Sequence, residues 1–170
     1  MKPATTQSAA PRQEPTQYLT FSSGSETFAI GILCVKEIIE YAGVTDVPMM
    51  SECIRGVINL RGAVVTVMDL AARFGRPRAE IGKRTCVIIV ELAEAGEQHV
   101  VGILVDSVSA VLEIAPEDIE PPPAFGARIR TDFIAGMGKV KERFVILLDV
   151  ARVFSIEEIA LLQAAGTSVE

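Results

Sequence analysis

Between Ile54 and Leu70 the chain reads I-R-G-V-I-N-L-R-G-A-V-V-T-V-M-D-L, two β-branched apolar runs parted by Asn59, Leu60, Arg61 and Gly62. Val and Ile are stiff at χ1 and sit well on a pleated surface. Runs of them on either side of a short glycine-bearing segment predict a β-hairpin. Gly62 supplies a backbone position where positive φ carries no steric penalty. Arg61 is left as the charge at the tip of a stiff ribbon. A side chain so placed is either solvated at a turn or presented to a partner, and the local pattern fits both readings equally. Asp69 then stands where an N-cap belongs, with Gly75 and Pro77 closing the helical turn behind it.

Composition narrows what such a hairpin belongs to. With 170 residues, 49% of them hydrophobic, the chain suits one large domain or two small lobes around a shared core. A net charge of −6 and nine aromatics, seven Phe and two Tyr, argue against a phosphate-binding or base-stacking surface. Nucleic acid is not an expected partner. Cys34, Cys53 and Cys86 are odd in number and far apart, which fits reduced thiols in a cytosolic protein better than a disulfide frame. No secretory signal is visible near the start, and no apolar run approaches the roughly 20 residues of a spanning helix. The expectation is a soluble, cytoplasmic protein without membrane insertion.

Residues 1–17 carry Pro3, Pro11 and Pro15 among polar residues and read as a flexible tail; 18–163 read as a single domain, and 164–170 as a frayed end. Tyr18 to Phe21 and Phe28 to Ile30 flank a Ser-Ser-Gly-Ser turn, a first hairpin. Ile32 to Tyr41 fits either a helical face or a strand. Val44 to Pro48 is extended, since the residue before proline avoids the helical region, and Ser51 is placed to cap a short helical turn. Thr85 to Leu92 is a continuous apolar run expected to be buried on both faces, turning through Ala95–Gln98 into His99–Val105. A further strand runs over Val108 to Leu112. Pro116 to Pro123 is an acidic, stiff surface connection. Phe133–Val140 and Arg143–Leu148 form another strand pair across Lys141-Glu142, and Ser155 with Glu158 is a capping box opening a C-terminal helix through Leu162. Val64–Phe74 and Phe144–Phe154 echo one another: each is a strand running into an Asp-capped turn that carries an Arg and ends on Phe. With the many short strands, the echo predicts a mainly β fold of two similarly built lobes with a few short helices.

The catalytic inventory is nearly empty. His99 is the only histidine, without ligands at metal spacing, and is expected at the surface. There is no nucleophile elbow, no H-E-x-x-H and no Walker loop; Gly136-Met137-Gly138 reads as a tight turn. The Glu117, Asp118, Glu120 group lacks the spacing of a calcium loop, and capping accounts for Asp69 and Asp149. No cofactor and no metal is expected, and an interaction protein is favoured over an enzyme.

Ile54 to Leu70 closely resembles the signature hairpin of the CheW-like chemotaxis coupling proteins. The likeness continues through V-V-G-I-L-V-D-S-V-S-A-V-L (Val100 to Leu112), E-D-I-E-P-P-P (Glu117 to Pro123) and F-I-A-G-M-G (Phe133 to Gly138). The resemblance implies two SH3-like five-stranded β barrels around a shared hydrophobic core. It also implies a free-standing, non-catalytic adaptor that binds the regulatory domain of a CheA-type histidine kinase and the cytoplasmic tip of methyl-accepting receptors, recruited to membrane-associated arrays. Position by position, Arg61 matches the receptor-proximal arginine, and Val35 and Glu37 match positions facing the receptor groove. Ile38, Val108 and Val111 extend the apolar side of that groove, although ordinary core serves equally well for the two valines. Gly56 and Gly62 shape the ribbon. Two alternatives stay open: a coupler in a chemosensory system with a non-flagellar output, and a regulatory β barrel holding a small ligand between its lobes.

Overall fold

The structure, a computed structural model, describes residues 16–48, 51–94, 96–122 and 133–154. The tail up to residue 15, the helix expected from Ser155 and the expected frayed end lie outside the described residues.

Eleven strands form two antiparallel-rich sheets among the described residues. In chain order they are β1 (Thr16–Ser23), β2 (Glu26–Gly31), β3 (Val35–Glu40), β4 (Ile54–Leu60), β5 (Ala63–Asp69), β6 (Cys86–Glu94), β7 (Glu97–Val105), β8 (Ser107–Ile114), β9 (Ile119–Glu120), β10 (Ile134–Val140) and β11 (Arg143–Leu148). Two one-turn helices, α1 (Leu70–Arg73) and α2 (Val150–Val153), follow β5 and β11. One sheet runs β8-β1-β2-β11-β10-β9 and the other β3-β6-β7-β5-β4. The second lobe is contiguous in sequence, whereas the first is assembled from both ends of the described chain. β1 begins at Thr16, two residues before the expected start of the domain.

The sequence echo is an internal pseudo-two-fold. In each lobe a hairpin (β1–β2, β6–β7) lies parallel to the second strand of another hairpin: β2 pairs with β11, and β7 with β5. In each, a bulge interrupts that other hairpin at matching places, between Ile54 and Gly56 and between Ile134 and Gly136. The outermost strands match as well. Val35 and Ile38 of β3 lie opposite Val90 and Ile88, while Val108 and Val111 of β8 lie opposite Phe21 and Leu19, again across a bulge. Counting along these registers makes Val35 the counterpart of Val108, Ile38 of Val111, Glu37 of Ala110, Arg61 of Lys141 and Val64 of Phe144.

The β6 run is buried on both faces, as its continuous apolar pattern requires. Val87 and Ile89 pack inside the contiguous lobe with Val65, Val67 and Leu104. Ile88 and Val90 turn the other way into a core shared with Leu19, Phe21, Phe28 and Ile30 of the split lobe. Phe28, Phe74 and Phe133 chain across that core with ring centroids 5.4 and 5.9 Å apart, so aromatic packing alternates between the lobes. Arg73 Nε donates to the Val153 carbonyl at 2.9 Å, joining α1 to α2 across the pseudo-axis.

One open choice is settled and two local expectations are corrected. Ile32 to Tyr41 is a single 3-10 turn over Ile32–Cys34 followed by a strand, because pairing with β6 offers the backbone a ladder that a lone helix would lack. Ser51 opens a turn rather than a helix: its hydroxyl accepts from Cys53 N at 3.3 Å and its carbonyl from Ile54 N at 3.0 Å. Gly136-Met137-Gly138 is no tight turn but lies inside β10. Its glycines are there for close packing: a Cβ on Gly136 would stand 2.8 Å from Ile119 Cγ2, and one on Gly138 3.1 Å from Ile114 Cδ1.

Candidate functional site

The hairpin tip is tighter than the sequence pattern implies. Asn59 and Leu60 belong to β4, and the turn is only Arg61 and Gly62, at φ 51° and 90°. Positive φ at both central residues is the two-residue hairpin geometry whose twist matches that of the strands. Asn59 Oδ1 accepts from Gly62 N at 2.8 Å and pins the turn, so an arginine is carried in the left-handed region. The stiffness needed to present Arg61 is therefore built from local bonds.

Gly56 is structural in a specific sense. Its φ is +148°, and a Cβ there would stand 2.3 Å from the Thr45 carbonyl oxygen. Thr45 and Val57 exchange backbone hydrogen bonds of 2.8 and 2.9 Å, fastening the stretch after β3 to β4. That fastening joins the two edges of the contiguous sheet, as a barrel requires.

Glu37 of β3 meets Arg61 in an exposed ion pair through both carboxylate oxygens. β3 and β4 are opposite ends of the sheet order, so the pair spans the same closure as the Thr45–Val57 bridge. The Glu37 hydrogen bond and its negative charge push the Arg61 guanidinium pKa above its ordinary value. The guanidinium is charged with or without that shift, and what Glu37 adds is its orientation.

The four apolar candidates divide into two equivalent pairs. Val35 and Val108 are half-buried and pack against the shared core. Ile38 and Val111 are 41% and 48% exposed on the same inter-lobe faces of β3 and β8. The core reading therefore holds for Val35 and Val108 in large part, while Ile38 and Val111 carry that apolar face out to solvent. Cys86, packed against the shared core, lies opposite Glu40 of β3, and its thiol donates to the Arg84 carbonyl at 3.2 Å. Burial, with the Glu40 charge behind it, pushes the Cys86 thiol pKa up. Glu37 lies opposite Ile89 on the other face of β3, so the ion pair and the apolar strip occupy opposite faces of one strand.

Sequence reasoning passed over Leu33, Val64 and Phe144, which are 96%, 75% and 50% exposed. The Val64–Phe144 match was present in the sequence echo; what made it visible as a surface feature was the register. His99 is half-buried rather than freely exposed, on the wall of a cavity of about 490 Å³ shared with Lys36, Arg61, Val64 and Phe154. Among the described residues no cluster of His, Cys, Asp or Glu is arranged to hold a metal, and no helix is long and apolar enough to cross a membrane.

Residues 17–158 match the family model for the CheW-like domain. The chain is similar to the chemotaxis protein CheW of Klebsiella aerogenes, 38% identical over 152 residues and covering 89% of each chain. It is similar also to the chemotaxis protein CheW of Rhizobium meliloti, 33% identical over 142 residues, 84% of this chain and 89% of that one. Among solved structures it is similar to the scaffolding protein TtCheW from Thermoanaerobacter tengcongensis, with a TM-score of 0.75 at 33% identity over 85% of this chain and 90% of the other.

Proposed function

This chain belongs to the CheW-like family and is a chemotaxis coupling adaptor; we propose that it lays the cytoplasmic tip of a methyl-accepting receptor along the apolar strip between β3 and β8. In this reading Val35, Ile38, Val108 and Val111 supply the contact area, and Arg61, oriented by Glu37, sets the register. A CheA-type kinase is held through its regulatory domain. The protein acts by position alone, with no catalysis and no bound cofactor, and residues 18–163 work as one domain at the receptor array.

The observation that carries the reading is the pairing of Ile38 with Val111. Two apolar side chains on equivalent edge strands reach solvent on faces that both look toward the shared core. A partner helix with one apolar stripe can bury that stripe between two such walls. Apolar area gives affinity, and a rim charge selects orientation and excludes mismatched partners. An arginine on a pinned two-residue turn loses little freedom on binding, which lowers the ordering cost of the contact.

The test is kinase autophosphorylation in receptor-bearing membranes with a CheA-type kinase. Stimulation by the wild-type chain should fall by about tenfold in Arg61→Glu, since reversing a rim charge turns an attraction into a repulsion. Its circular dichroism should not change. Full stimulation by a folded Arg61→Glu protein would remove Arg61 from the receptor interface.

A further inference from the structure

From the β10–β11 hairpin we infer a second interaction surface, separate from the Arg61 tip, that takes an acidic protein segment bearing at least one apolar side chain. The hairpin presents Lys139, Lys141, Arg143 and Phe144, all exposed, with Glu142 as the only acid between them. Phe144 is 50% exposed and lies opposite Lys139, so an aromatic face and two cationic stems share one short ribbon. This concentration of positive charge sits on a chain whose net charge is −6.

The pseudo-symmetry shows why these cations stay available. Lys141 is the counterpart of Arg61, but Ala110 stands where the other lobe has Glu37. The ion pair that occupies Arg61 therefore has no equivalent here. Glu117 and Asp118 lie on the turn before β9, which pairs with β10, and are exposed. Among the described residues neither forms an ion pair with Lys139, Lys141 or Arg143. The hairpin tip is also rigid, because Lys141 and Glu142 both hold positive φ in a two-residue turn, at 51° and 68°.

Charge complementarity chooses the occupant. Lys139 and the phenyl ring share one face of the ribbon with Lys141 at its tip, while Arg143, opposite Val140, lies on the other face. The lysines and the ring would fit an acidic peptide or an anionic lipid surface. A membrane, however, would confront the whole body of this acidic chain, and its repulsion opposes attraction at one hairpin. A peptide engages the hairpin alone. Its carboxylates would meet the two lysines, and an apolar residue would cover Phe144. The inference uses no residue of the proposed receptor strip, so it stands or falls independently of the coupling reading.

The experiment titrates the isotope-labelled full chain with a short synthetic peptide of glutamates interspersed with two leucines. The same peptide with glutamine for glutamate is the control, and vesicles containing phosphatidylserine are a third arm. Amide shifts should concentrate at residues 139–144, and affinity should fall with added salt, since the pairs are exposed. Lys139→Gln with Lys141→Gln should weaken binding by about tenfold, Phe144→Ser should weaken it less, and Arg61→Glu should leave it unchanged. These substitutions alter only exposed side chains, and circular dichroism checks that each variant folds. Four results would each overturn the inference: equal binding of the glutamine peptide, shifts centred on Arg61, vesicle binding without peptide binding, or concentration-dependent self-association in place of peptide binding.

Discussion

Asp69 and Asp149 end equivalent strands and cap equivalent helical turns, yet one side chain is fully buried and the other is 41% exposed. Asp69 accepts from Ala72 N at 3.1 Å, from Ala79 N at 2.9 Å and from Arg55 Nη1 at 3.1 Å. Asp149 accepts from Arg152 N at 3.3 Å and faces the Arg152 guanidinium across 3.7 Å near the surface. The backbone plan is the same, down to the bonds from Asp69 N to the Cys53 carbonyl and from Asp149 N to the Phe133 carbonyl. What differs among the described residues is the surroundings of the carboxylate. In the contiguous lobe the chain passes Ala79 back over the cap and buries it, and Arg55 then becomes the necessary counter-charge. The hairpin that carries Arg61 is thereby braced at its base as well as at its tip. Its twin is braced less and neutralised less. A duplicated backbone has been given one stiff, charge-compensated arm and one arm with free charge.

The widest separation between the lobes should come from those two aspartates. Asp69→Ala leaves the largely buried Arg55 with only the Ala79 carbonyl as acceptor and two backbone N–H groups unsatisfied, so a loss of about 3–5 kcal/mol is expected. Asp149→Ala removes an exposed cap and should cost about 1 kcal/mol. Urea unfolding of the two variants measures the difference directly; equal losses would mean that burial of Asp69 adds nothing to capping.

The bulge glycines should separate by a smaller margin. Gly56→Ala must move the Thr45 backbone and also hold a side chain at positive φ, at a cost of about 3 kcal/mol. Gly136→Ala keeps an ordinary φ but meets the Ile119 Cγ2 branch at 2.8 Å and the Glu120 carbonyl oxygen at 3.1 Å, and should cost about 2 kcal/mol. Amide exchange at Thr45 and Val57 would show whether the barrel closure opens in the first variant alone.

At the tips the sign should reverse. Gly62→Glu places a side chain in the left-handed region and should destabilise by about 1 kcal/mol, whereas Glu142→Gly relieves the same strain and should stabilise by a similar amount. Thermal unfolding midpoints moving in opposite directions would bear this out. The smallest effect is expected from giving the split lobe the missing acid. Ala110→Glu should couple to Lys141 by no more than about 0.5 kcal/mol in a double-mutant cycle, since an exposed pair is screened by water. A coupling near zero would show that the Glu37–Arg61 pair depends on more than its two residues facing one another.

Much of the fold was legible because strands announce themselves locally. β-Branched runs, glycine turns and a two-faced apolar run at Val87–Val90 each follow from residues within a few positions of one another. The echo of Val64–Phe74 in Phe144–Phe154 reported a duplicated lobe without any partner strand being known. Ile32–Tyr41 was not legible, because its strand exists only by pairing with β6, distant in the chain. Gly136-Met137-Gly138 misled for the same reason: a glycine needed for close approach to β9 looks like a glycine needed for a turn.

By itself, the sequence determined the hairpins, the Asp caps, the two-lobe plan and the rigid presentation of Arg61, since each is a property of short segments and their stereochemistry. Only the tertiary structure decided which lobe receives which residues, brought Glu37 to Arg61, placed Ile38 and Val111 on matching edges and, among the described residues, left Lys141 without an acid. Those relations join residues far apart in sequence through register and barrel closure. No local preference encodes a register; the packing of the whole chain selects it.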